Sequence, residues 1–169
     1  MAAGATYTPI QTTTVSGTST NNVTFSSIPS TYTDLVLSIN NGGTSVAQGY
    51  AFQFNGDTGT NYSFTTFWSP STGSTPGAFR TTNTTSISQF SGLAGNTSTI
   101  VLAANINIMN YSNTTTYKTL LQRSQSEQTT QVLVGLWRNT SAITSINLFM
   151  GSGNIQSGST FTLYGIASA

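Results

Sequence analysis

Apolar residues recur at every second position in window after window of this chain. Ile100, Leu102, Ala104, Ile106 and Ile108 do so through residues 99–110, the strongest such run. Leu35, Leu37 and Ile39 repeat the pattern, as do Tyr50, Phe52 and Phe54, then Val132, Val134 and Leu136, then Ile146, Leu148 and Met150. Phe161 and Leu163 begin a last run that sends Tyr164 and Ile166 to the opposite face. A period of two is the signature of a strand with one buried face, so the named residues are expected to point into a core. Weaker strand candidates lie at residues 23–28, 62–68, 86–90 and 117–123.

Clusters of turn formers separate these runs, among them Asn40-Asn41-Gly42-Gly43, Asn55-Gly56-Asp57-Thr58-Gly59 and Ser69-Pro70-Ser71-Thr72-Gly73. They supply the positive-φ and side-chain-capped positions that reverse a strand. Good helix formers are scarce, and no window shows the i, i+3, i+4 pattern. The expectation is an all-β chain: one β-sandwich over residues 1–169, jelly-roll-like, with about nine or ten strands. Residues 1–17 are expected to form an N-terminal arm or an edge strand.

Composition sharpens this picture. Of 169 residues only 4 are Lys or Arg and 3 are Asp or Glu, and Ser, Thr, Asn and Gln make up roughly half. A globular domain ordinarily has about a quarter of its residues charged. Hydrophobic residues still reach 36%, with 9 Phe, 7 Tyr and 2 Trp, enough for a core. Arg80, Lys118, Arg123 and Arg138 stand apart among neutral residues, so the phosphate clamp of a nucleic-acid binder and the basic patch of a membrane-surface binder are both missing. The first residues have neither the basic start nor the apolar run of a secretory signal. No stretch reaches the 18 or so apolar residues of a transmembrane helix. Sheet edges are normally guarded by charge, and a chain so poor in it is expected to have its edges and faces covered by other chains.

Candidate chemistry is thin. With no His and no Cys, Ser-His and Cys-His nucleophiles and the usual zinc sites cannot be assembled. Asp34, Asp57 and Glu127 are the whole carboxylate supply, and nothing in the sequence brings two of them together, so no enzyme activity, cofactor or metal is expected. The run from Asn55 to Asn61 resembles the first half of a calcium loop, yet position 66, where such a loop needs its bidentate acid, is Thr66. A polar turn held by Asp57 is the better reading. The seven Asn-x-Ser/Thr triplets are about what a chain this rich in Ser and Thr produces by chance. Phe67 and Trp68, beside the 69–77 loop, are candidate ligand or partner contacts, since exposed rings offer apolar area at low entropic cost. Trp137 and Arg138 are candidates because Trp and Arg are enriched at interface hot spots, the alternative being a core Trp with an Arg at its strand end.

Three stretches carry a resemblance: residues 25–39 (FSSIPSTYTDLVLSI), residues 54–62 (FNGDTGTNY), and residues 135–146 (GLWRNTSAITSI) continuing to 158–166 (GSTFTLYGI). They resemble tailed-bacteriophage virion proteins found in phages of aquatic bacteria such as cyanophages. The resemblance implies a β-sandwich of the particle, either a capsid decoration (cement) protein or part of a tail fibre, and brings no catalytic residues with it. A fibre subunit usually carries heptads, collagen-like repeats or a β-helix period, and none is present. The expectation is therefore a cement protein on the outer capsid surface, made in the host cytoplasm. Its expected partners are the major capsid protein and copies of itself, as a trimer or else a dimer.

Overall fold

A computed structural model of the chain describes residues 6–18, 20–40, 44, 49–70, 75–90, 102–126 and 129–167, with backbone alone at 89 and 90. Among these are twelve strands and no helix: β1 (Tyr7–Thr14), β2 (Asn22–Phe25), β3 (Asp34–Asn40), β4 (Tyr50–Phe54), β5 (Tyr62–Pro70), β6 (Gly77–Thr84), β7 (Ile87–Phe90), β8 (Ala103–Met109), β9 (Lys118–Gln125), β10 (Thr129–Trp137), β11 (Ile146–Phe149) and β12 (Thr160–Ile166).

The pairing defines the architecture. β1 pairs with β12, β2 with β11, β3 with β8 and β4 with β7, every pair antiparallel. First bonds to last and second to second-last, which is a long antiparallel ribbon rolled upon itself. The pairs β12–β3 and β11–β4 close the roll. The result is a jelly roll, β1-β12-β3-β8 in one sheet and β2-β11-β4-β7 in the other. Two hairpins are additions to it: β5–β6 between β4 and β7, and β9–β10 between β8 and β11. Both join the first sheet beyond β8 and widen it to eight strands, in the order β1-β12-β3-β8-β9-β10-β5-β6.

The period-two positions make the core. Leu35, Leu37 and Ile39 of β3, Phe52 and Phe54 of β4, Ile106 and Ile108 of β8, Ile146 and Leu148 of β11, and Phe161 and Leu163 of β12 are all at most 1% exposed. Burying such side chains contributes about 1.5–3 kcal/mol each. The chain passes from β4 in one sheet to β5 in the other through Asn55 and Gly56, both left-handed (φ 53° and 66°), and the Asp57 amide donates to the Phe54 carbonyl at 2.9 Å. Asn-Gly is the pair that tolerates two positive-φ positions in succession. The Asn55 side chain also pins the turn to the segment before β11: its oxygen accepts from the Thr144 and Ser145 amides (2.8 and 3.1 Å), and its nitrogen donates to the Ala142 carbonyl (2.7 Å).

One strand departs from expectation. Val132, Val134 and Leu136 were predicted to face the core, but β10 is turned over: Leu133, Gly135 and Trp137 point inward with Gln131, while Val132 and Val134 are 39% and 49% exposed. A one-residue change of register moves every side chain of a strand to the other face, so only one of the two sets can be buried. Trp137 is the largest apolar body in the strand. Gly135 leaves room for Ile87 and Leu120, and the inward Gln131 amide donates to Thr66 Oγ1 at 2.5 Å. The valines are therefore left outside.

The outermost strands of the wide sheet are blunted more by irregularity than by charge, of which β1 and β6 carry Arg80 alone. β1 contains Pro9 and a register shift between Pro9 and Gln11. β6 carries Asn83 in the left-handed region (φ 58°) opposite a register shift between Tyr62 and Ser63. Bulges and prolines interrupt the row of unpaired amides that an incoming strand needs.

Candidate functional site

Strict alternation along β5 places Tyr62, Phe64 and Thr66 inside and Phe67 outside, 54% exposed. Trp68 is half-buried, and its indole lies across Gly77 at the start of β6, in the space a Cβ would fill. Of the aromatics in this strand, Phe67 is thus the exposed one and Trp68 the partly covered one. The ladders then set Phe67 among its neighbours on the outer face of the added hairpins. Val132 stands directly opposite Phe67, Arg123 opposite Val132, and Ala78 on the far side of Phe67. Two residues along, Leu121, Val134, Thr65 and Arg80 form the adjoining row. A shallow cavity of about 490 Å³ is lined by Phe67, Trp68, Pro76, Ala78 and Val132 among others. A second, of about 320 Å³, lies across Val132 beside Ala103 and Arg123.

Trp137 and Arg138 have a different fate. Trp137 is 1% exposed, its ring tilted against Phe54 (centroids 5.5 Å apart) and stacked on Tyr62 (6.3 Å), so it is a core residue and offers nothing to a partner. This corrects the expectation of a Trp137 contact. The cause is the same inversion of β10 that exposes the valines. The Trp137 indole N–H donates to Asp57 Oδ2 at 2.7 Å. The same oxygen accepts from Asn61 Nδ2 (2.9 Å), and Oδ1 accepts from the Gly59 amide (2.8 Å). Burial pushes the Asp57 carboxyl up, but the hydrogen bonds from Trp137, Asn61, Gly59 and Asn139 outweigh it and hold the pKa below its ordinary value. Both oxygens are occupied by internal donors, so the 55–61 segment is a turn organised by its carboxylate, with no open calcium cradle. The Arg138 guanidinium is also turned inward upon the chain, donating to the Thr60 carbonyl (2.6 Å) and Asn83 Oδ1 (2.8 Å). Arg138 thereby ties the start of the 138–145 connection to the β6 bulge.

Two buried features were not foreseen. Lys118 is 1% exposed, its ammonium donating to the Thr116 and Thr140 carbonyls (2.7 and 3.1 Å), and burial lowers its pKa. The inner face of the added hairpins is polar, with Thr66, Gln122, Ser124, Thr129 and Gln131 all buried. Gln122 Nε2 donates to Ser124 Oγ at 2.7 Å, while its Oε1 is buried without a hydrogen-bond partner. No sequence signal marks these positions, because alternation registers apolar residues and Gln or Thr inside a strand reads as an outward position.

Chemically, the described residues offer a surface for binding. No group of three or more His, Cys, Asp or Glu comes together among them. Asp34 accepts from the Asn110 amide (2.7 Å) at the end of β3, Asp57 is engaged as above, and Glu127 lies outside the described residues. No protein-family model matches the chain, and no curated protein matches it.

Proposed function

We propose that the protein is a structural component of a tailed-phage virion, a decoration protein that binds the outside of the assembled capsid and stabilises it without catalysing a reaction. The observation that carries the binding part of this reading is the row Arg123-Val132-Phe67-Ala78, with Val134 beside it: apolar side chains left facing solvent on a chain with almost no charge to keep a monomer soluble. The virion part is supported by the resemblance of residues 25–39, 54–62, 135–146 and 158–166 to virion proteins. The jelly roll fits it at the level of fold, being a common architecture of viral capsid domains. The mechanism is thermodynamic linkage: a protein that binds the closed shell and not its separated subunits stabilises that shell by RT ln(1 + [L]/Kd). The partners in this reading are the major capsid protein and further copies of the chain, first as a trimer. Purified protein is expected to bind expanded capsids lacking it and to raise their disruption temperature; a folded preparation that does not bind them rejects the reading.

A second reading has one observation in its favour. The 490 Å³ cavity at Phe67 and Trp68 is shallow, aromatic and bordered by Ser69 and Thr130, which suits a sugar ring stacked on an indole or phenyl face. In that reading the chain is a tail-fibre module that contacts host glycan. Binding on a glycan array, abolished in Trp68→Ala, is its expected result, and no binding to any glycan alongside binding to capsids ends it.

A further inference from the structure

We propose that the outer face of β9, β10, β5 and β6 docks a different protein that presents carboxylates around an apolar contact, and that this face does not bind a second copy of the chain. The inference rests on the structural reading above and adds which face is used and what chemistry it meets.

The argument starts from charge. Arg80 and Arg123 both project from this outer face, on the same side as Phe67, Val132 and Val134. They stand three strands and two residues apart, about 16 Å between Cα atoms at ordinary sheet spacing. The exposed apolar side chains lie between them. No Asp or Glu occurs in β5, β6, β8, β9 or β10, so these strands carry two arginines on this face and no acid, and the nearest carboxylate in sequence is Glu127 in the connection between β9 and β10, outside the described residues. Arg80 and Arg123 are two of only 4 basic residues in the whole chain. The other two are engaged by the chain itself, Lys118 buried on carbonyls and Arg138, partly exposed, on Thr60 and Asn83. Among the described residues, the two remaining guanidinium groups flank a strip where Phe67, Val132 and Val134 face outward.

A second copy is a poor match for this strip. Two such faces related by a two-fold axis would bring four guanidinium groups together, and in the head-to-tail contact of a trimer the opposing surface would have only Glu127 to offer them. Asp34 and Asp57 are engaged elsewhere, so the pair could offer at most the two Glu127 carboxylates in return. Like charges pressed together at an interface repel and serve to exclude wrong partners. A foreign surface with carboxylates set about 16 Å apart around a small apolar relief pairs both arginines bidentately and covers the valines.

The test uses the full chain and expanded capsids that lack it. In R80E/R123E the affinity is expected to fall at least tenfold at about 50 mM salt, with the deficit shrinking as screening increases. In F67S/V134S it is expected to fall by about tenfold at every salt concentration. T24E/N147E, on the outer face of the four-stranded sheet, is expected to bind as the wild type does; circular dichroism and melting verify that all three variants are folded. If the wild type binds while R80E/R123E and F67S/V134S bind equally well, the face is wrong and the capsid reading survives. If the wild type does not bind, that reading falls and takes this inference with it. A wild-type self-association measured by sedimentation and abolished in F67S/V134S gives the face to a second copy and overturns the proposal.

Discussion

Replacing Asp57 with alanine removes the acceptor for Trp137, Asn61, Gly59 and Asn139 at once, and these bonds are unequal. The Gly59 amide and Asn61 Nδ2 lie near solvent and can turn to water, so their loss is small. The Trp137 N–H cannot, because its ring is 1% exposed between Phe54 and Tyr62. A buried donor left without an acceptor costs about 1–3 kcal/mol, and a bond to a charged group contributes about 1.5–3. Asp57→Ala is therefore expected to lose about 2–3 kcal/mol of unfolding free energy, and Asp57→Asn about half that, since an amide oxygen still accepts from the indole. Asp57 is held below its ordinary pKa, so its contribution is present above the unfolded value near pH 4 and is lost as pH falls through the lower, folded value. The gap between wild type and Asp57→Asn should thus be full at pH 7 and close toward pH 3. Urea unfolding followed by tryptophan fluorescence at the two pH values reads both quantities. A loss under 0.5 kcal/mol for Asp57→Ala at pH 7, or a gap that widens on acidification, refutes the reasoning.

Asn55 separates two effects at one position. Asn55→Gly keeps the left-handed backbone and loses only the bonds to Thr144, Ser145 and Ala142, whereas Asn55→Ala loses both. Alanine should therefore be less stable than glycine by about 1 kcal/mol in thermal or urea melts, and equal stabilities would refute the role of backbone conformation. At the alkaline end, burial pushes the Tyr62 hydroxyl up to about 12, with the Asp57 charge adding to it and the Phe54 backbone opposing, and burial raises Tyr50 and Tyr111 as well. Neutral tyrosine is favoured in the folded state, so stability should fall as pH rises above about 10, where unfolded tyrosines ionise. Tyr62→Phe should flatten part of that fall, and an unchanged slope in pH-dependent melting would count against it.

The jelly roll was legible where burial is one-sided. β3, β4, β8, β11 and β12 lie in the roll with one face on the core, and their alternation named the buried residues correctly: Leu35, Leu37, Ile39, Phe52, Ile106, Leu148 and Phe161 are all inside. The two strands that alternation did not reveal, β1 and β6, are the outermost of the wide sheet and have no fully buried position, so no apolar period of two is imposed on them. Residues 1–17 were read as an arm or an edge strand, and Tyr7–Thr14 is the edge strand. β10 was found but inverted. Val132-Leu133-Val134-Gly135-Leu136-Trp137 can be read as apolar on either parity, and only the fit of Trp137 against Phe54 and Tyr62 decides between them. Phe67 and Trp68 were visible as candidate contacts from their place beside the 69–77 loop, and of the two Phe67 is the exposed one. Arg80 and Arg123 gained meaning only when the ladders set them on one face with the valines.

Because β1 pairs with β12, Tyr7 sits opposite Ile166, and the two ends of the fold leave the sheet side by side at one corner. A pull applied through those ends acts across the strands and loads one bonded pair at a time, so the ribbon would peel open like a zipper. A pull along the strands shares its load among many pairs and meets far more resistance. The same fold is therefore soft when pulled apart at Tyr7 and Ile166 and stiff when loaded along a broad sheet face such as that of β9, β10, β5 and β6. A load on the molecule is better borne through that face than through those ends.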